Sequence, residues 1–215
     1  MLNETTDKLL HNVQRLKTKK FFHRDIDLIS VLLPGESALL FVTPQGLPTR
    51  LAFSEQPDSR LPIGVQQRLR FHIGIYQSRS DAGTIAHLSP YWCGALSNLP
   101  EVMPTVFDEP ARHIGRSWRL KRNNDVVHVV AKSGNAGTVD DQLLVIGVTQ
   151  NRMVFNAELF EKCAMAYTLA RMSGQKVSRV PWWVRLIAGN RLKSDMKKAA
   201  QRHMAGQEAE ELKAY

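Results

Sequence analysis

HIGIYQSRSDAGTIAHLSPYWCGALSNL, residues His72 to Leu99, changes its periodicity twice. Upstream from Val65 the apolar positions Val65, Leu69, Ile73 and Tyr76, with His72 among them, fall on one face of a helix. Gly83 releases that helix into Thr84 to Leu88, a short apolar strand. Ser89-Pro90 then opens a second helix that runs to about Leu99, because serine can cap free N–H groups and proline is favoured at the first helical position.

Working outward, residues 5–18 carry a helical stripe of Leu9, Leu10, Val13 and Leu16. Ile26 to Val31 and Ala38 to Thr43 flank Leu-Pro-Gly-Glu and read as a hairpin, closed by Pro44-Gln45-Gly46. Residues 47–63, with Pro48, Pro57 and Pro62, read as loop with one short strand at most. Residues 100–122 form a proline-bearing connection with a short helix near Pro110 to Ile114. Val126 to Ala131 and Gln142 to Val148 are the next strands, and Met153 to Phe155 can add a short one. Asn156 caps a helix with Leu159, Phe160, Cys163, Tyr167 and Ala170 on its apolar face, released at Gly174. Strands alternating with helices predict an α/β domain over residues 1–174, followed by a basic helical extension over 175–215 whose end, Gly206 to Tyr215, is polar enough to fray.

At 215 residues the chain can bury roughly 70 % of its unfolded surface without disulfides or structural metals. Cys93 and Cys163 fall in apolar helices and read as reduced thiols, with no base placed beside Cys93 by sequence. No run of about 18 apolar residues exists to span a bilayer, and the polar N-terminus lacks a secretory h-region, so a soluble, cytoplasmic protein is expected. The net charge of +9 is lopsided: residues 1–173 hold 20 Lys+Arg against 16 Asp+Glu, whereas residues 174–203 hold 8 against 1.

Four landmarks together resemble the class II aldolase/adducin family. Leu28-Ile29-Ser30-Val31 is similar to its G-N-I-S-V-R strand, followed by Phe41-Val42-Thr43-Pro44-Gln45-Gly46 for its I-T-P-x-G. His72-Ile73-Gly74-Ile75-Tyr76 with Arg79 and Asp81 is similar to H-x-x-I-Y-x-x-R-x-D. Ser89-Pro90-Tyr91 with Ala95-Leu96, and the helix Leu159-Phe160-Glu161-Lys162-Cys163-Ala164, complete the set. The resemblance implies a three-layer fold, a central mixed or antiparallel sheet flanked by helices, and a homo-oligomer, dimer or tetramer, with sites between subunits. It places Ser30, Thr43, Gly46 and Ser89 at the substrate position.

Enzymes of the family generally hold zinc through three histidines and use a nearby glutamate as acid/base on phosphorylated sugars. Histidines two apart on a strand share a face, so H-x-H can grip a metal that polarises a carbonyl. Here the tripeptide is Ala86-His87-Leu88, and alternation aims His87 at the opposite face. Arg68 stands in the glutamate's place and cannot abstract a proton at neutral pH. Ile146 aligns with the third histidine, and Asp27-Leu28 replaces the phosphate-receiving Gly-Asn. The zinc site is therefore expected to be lost, leaving no cofactor.

Two functions follow as alternatives. One is a binding or assembly protein, as in the adducin branch; the other is a metal-independent enzyme of lyase or isomerase type, with Arg68, His72, His87 and Tyr91 in a remodelled pocket. For Arg68 the choice lies between a carboxylate or phosphate ligand and a solvated or salt-bridged side chain; for His72, a buried, hydrogen-bonded core histidine competes with a site role. In the extension, Trp182, Trp183, Arg185, Lys193, Lys197 and Lys198 join an apolar cluster to a basic helix. The tryptophans can pack on the parent domain or a neighbouring subunit, meet a protein partner, or lie on an anionic membrane surface. Nucleic acid is disfavoured because aromatics and charges occupy different segments.

Overall fold

The computed structural model describes residues 2–121, 126–174 and 177–211. Seven strands form one mixed sheet, ordered β3-β2-β1-β4-β7-β6-β5. They are β1 Leu28–Leu33, β2 Ala38–Val42, β3 Thr49–Ala52, β4 Thr84–Leu88, β5 Trp118–Leu120, β6 Ala136–Val139 and β7 Gln142–Gly147. All neighbours are antiparallel except β5 and β6. The helices are α1 Leu2–Thr18, α2 Ile63–Ser78, α3 Tyr91–Ser97, α4 Asp108–His113, α5 Val126–Ala131, α6 Gln150–Met172 and α7 Trp182–Met204.

Alternation along each strand divides the core in two, giving the expected three layers. Ile29, Val31, Leu40, Val42, Ala86, Leu88, Leu143 and Val145 face α1, α3 and α6. Leu28, Leu39, Phe41, Ile85, Leu144 and Ile146 face α2 and α5. Strand β4 lies in the middle, buried along its whole length between β1 and β7. Cys93 and Cys163 are free and buried.

Several elements depart from the sequence reading. Val126–Ala131 is a helix, not a strand: Val130 is fully buried in the α2-side core and Val127 lies against Gly74 of α2, so packing overrides the β preference of a Val-rich run. Strands β5 and β6 were not expected at all. Met153 to Phe155 lies inside α6, whose cap is Thr149, its hydroxyl accepting from Arg152 N at 3.2 Å. Asn156 instead donates from within the helix to Ile146 O at 2.8 Å. The reason is local: a Cβ on Gly147 would stand 2.3 Å from Met153 N, so only glycine lets β7 pass straight under the first turn of α6.

The extension lies on the body. Helix α7 packs against α4, and His203 Nδ1 donates to Ser80 O at 2.9 Å. The expected fraying from Gly206 is not seen over the described residues: Thr5 donates to Glu208 at 2.8 Å, and Glu211 is ion-paired with Lys8 and accepts from Thr149 Oγ1 at 2.8 Å. The rest of that segment, 212–215, lies outside the described residues.

Candidate functional site

Sheet register brings the family landmarks to one sheet end. Leu28 pairs with His87 and Leu88 with Leu143, so Asp27, Ser89 and Gln142 meet there, and Thr43 lies at the same end beyond Val42, which pairs with Ile29. Asp27 Oδ1 accepts from Ser89 Oγ at 2.6 Å and from Gln142 Nε2 at 3.0 Å, while its Oδ2 accepts from His23 N and Arg24 N, both at 2.9 Å. Burial pushes the Asp27 carboxyl upward, and those donors oppose the shift. Arg68 reaches across from α2 to bond Gln142 Oε1, and its other terminal nitrogen donates to Gly64 O at 2.9 Å.

Next to this cluster runs a chain of polar groups whose proton directions follow by counting. Tyr76 has one hydroxyl proton and gives it to Ser30 O at 2.8 Å. Ser30 Oγ, 2.9 Å from Tyr76 Oη, must then donate to it. With that proton used, Ser30 Oγ accepts from His72 Nδ1 at 2.8 Å. His72 Nε2 is thereby left bare and accepts from His87 Nδ1 at 2.8 Å. The two imidazoles stack, with centroids 5.0 Å apart. Burial, helped by the charge of Arg68, holds the His72 pKa down to about 3, so the His72 ring is neutral.

The pattern of burial decides what these residues can do. Arg68, His72, His87, Ser30 and Ser89 are all 5 % exposed or less. They are held together, but inside the molecule. Tyr91 does not join them: it is 75 % exposed at the start of α3, edge-on to Trp92. Ser89 does not cap α3 either, its hydroxyl being committed to Asp27; Glu161 of α6 does so instead, accepting from Trp92 N at 2.7 Å and Cys93 N at 2.9 Å. Thr43 and Gly46 form a tight surface turn, in which a Cβ on Gly46 would meet Thr43 Oγ1 at 2.5 Å. Trp182 and Trp183 are 69 % and 55 % exposed, so neither is buried against the parent domain.

The three positions that the sequence resemblance matches to zinc ligands, Ala86, Leu88 and Ile146, carry apolar side chains. Ala86 and Leu88 are fully buried in the α6-side core with Cys93, Leu143 and Val145, while Ile146 belongs to the opposite face. Arg68, buried on α2, is a fixed cation. Among the described residues no group of three or more His, Cys, Asp or Glu is placed to hold a metal ion. Gln142, which ties Arg68 to Asp27 and Ser89, was not foreseen; its only sequence signal is a polar residue opening an otherwise apolar strand.

No family model and no curated protein matches the sequence. Solved structures do match in shape. An L-fuculose 1-phosphate aldolase superposes with a TM-score of 0.73 at 15 % identity, over 88 % of this chain and 96 % of the other. YgbL from Klebsiella pneumoniae, a candidate aldolase/epimerase/decarboxylase, gives 0.71 at 15 % identity over 86 % and 98 %. An aldolase II superfamily protein from Pseudomonas syringae gives 0.72 at 15 % identity over 94 % and 89 %. With its seven-stranded sheet and flanking helices, the chain has the fold of the class II aldolase superfamily.

Proposed function

We propose that this chain uses the class II aldolase fold for binding or assembly and does not carry out zinc-dependent cleavage or epimerisation of phosphorylated sugars. The observation that supports this best is the content of β4: Ala86 and Leu88 pack into hydrocarbon at the H-x-H positions. Across the sheet, Arg68 is bonded to Gln142 and Gly64. A buried guanidinium held by neutral acceptors stabilises structure without offering a Lewis acid or a base. Zinc carried through purification and measured by mass spectrometry is expected to be far below one ion per chain. Stoichiometric zinc bound through imidazole, or aldol cleavage of sugar phosphates, overturns the reading. As a binding scaffold it is expected to form a homo-oligomer, which light scattering on the purified chain checks.

A metal-independent lyase or isomerase is the second reading, and one observation favours it: a histidine pair whose neutral member, His72, lies close enough to Arg68 to feel its charge. Such an enzyme would turn over with a chelator present and lose activity on His87→Ala.

A further inference from the structure

Helix α7 carries two features that the fold does not use. Trp182, Trp183, Leu186 and Ile187, its first two turns, are 69 %, 55 %, 55 % and 51 % exposed. At 100° per residue these four side chains share the side of the helix away from its buried positions, Ala188, Ala199 and His203, and Lys193, Lys197 and Lys198 continue the same side toward the C-terminus. The second feature is a groove of about 900 Å³ between α7 and the body, whose walls carry Arg116, Lys132, Arg179, Arg185 and Lys193. Its one carboxylate, Glu101, is already taken by Arg171 at 2.6 Å and by the Tyr167 hydroxyl at 2.9 Å. Among the described residues, Arg116, Arg179, Arg185 and Lys193 have no carboxylate partner.

We propose that α7 docks the protein on an anionic lipid surface, with Trp182, Trp183, Leu186 and Ile187 entering the interface and the adjoining cationic groove receiving headgroup phosphates. The two features converge on that ligand. A soluble phosphate would fill the groove but leave the apolar turns in water. A second copy of this chain would set one strongly basic segment, 8 Lys+Arg against 1 acidic residue over 174–203, against another, and like charge opposes that contact. Tryptophan with leucine and isoleucine beside lysine and arginine suits the boundary between headgroups and acyl chains. No helix among the described residues is long and apolar enough to cross a membrane, so the contact is peripheral. The proposal is independent of whether the fold has kept any catalysis.

The test is co-sedimentation of the full chain with vesicles of phosphatidylcholine alone and of phosphatidylcholine mixed with phosphatidylserine. Binding is expected only to the mixed vesicles, weakening as salt is raised and shifting tryptophan emission to the blue. The variants W182A/W183A and R185E/K193E, all at exposed positions, are each expected to bind about tenfold more weakly or worse while keeping native circular dichroism. No binding to mixed vesicles at low salt, equal binding to both vesicle types, full displacement by inorganic phosphate, or undiminished binding by both variants overturns it. So does light scattering that shows W182A/W183A dissociating a stable oligomer, which would assign the face to a second copy.

Discussion

At the scale of single residues, two buried histidines, His72 and His113, carry a signature in pH. His72 is held down to about 3 and His113 to about 4, both chiefly by burial, whereas in the unfolded chain histidine titrates near 6.5. The unfolded chain therefore takes up protons first as pH falls, and the native state gives up stability between about pH 6.5 and these lower values; above that window the contribution is intact. Each such histidine steepens the loss by up to about 1.4 kcal/mol per pH unit. Urea denaturation across this range should show that slope reduced by about one proton in His72→Gln, and an unchanged slope would contradict a neutral His72 in the native state. A second residue-scale expectation concerns the motif that first suggested the fold. Arg79 bonds Asp81 at 2.5 and 3.2 Å and Asn135 at 2.7 Å, and both Arg79 and Asp81 are buried. Arg79→Ala leaves a buried carboxylate uncompensated and is expected to cost about 3 to 5 kcal/mol in denaturant unfolding. The R-x-D pair thus anchors the approach to β4 to the start of β6.

At the scale of elements, α3 depends on a side chain from another helix. Its first N–H groups have no serine cap, because Ser89 serves Asp27, and Glu161 supplies both acceptors from α6. Burial raises the Glu161 carboxyl, and the two N–H donors pull against that shift. Glu161→Ala should destabilise the protein by about 2 kcal/mol, whereas Glu161→Gln, which retains one acceptor, should lose less; equal losses would argue against capping. The same element shows where local reading failed. Ser-Pro was read correctly as a helix start, but which group caps it depends on a residue about seventy positions away. Val126–Ala131 and the β5–β6 pair failed for a related reason: segments of three to six residues carry too little periodicity to outweigh what they pack against.

At the scale of the whole molecule, charge and topology are separable. The body is nearly balanced while the extension is strongly basic, and the two are joined through α4 and α7 and through the ties of residues 208–211 to α1 and Thr149. Those ties are largely surface contacts, so removing residues 207–215 is expected to cost less than about 2 kcal/mol and lower the melting temperature by a few degrees, measured by scanning calorimetry. A larger loss would mean that the segment belongs to the core of the fold.

The α/β class, the β1–β2 hairpin, the strand at Thr84 to Leu88, the free buried cysteines and the residues at Ala86, Leu88 and Arg68 were legible in the sequence, because periodicity and residue type are local properties. The sequence also placed His87 on the opposite face from Ala86 and Leu88, since strand alternation admits no other answer. The folded molecule was needed to see that Arg68, His72 and His87 are enclosed, that Tyr91 stands apart from them, that Gln142 joins Arg68 to Asp27, and that Trp182 and Trp183 face outward. Enclosure and convergence depend on which side chains arrive from distant elements and how completely they exclude water, and no stretch of chain carries that information alone.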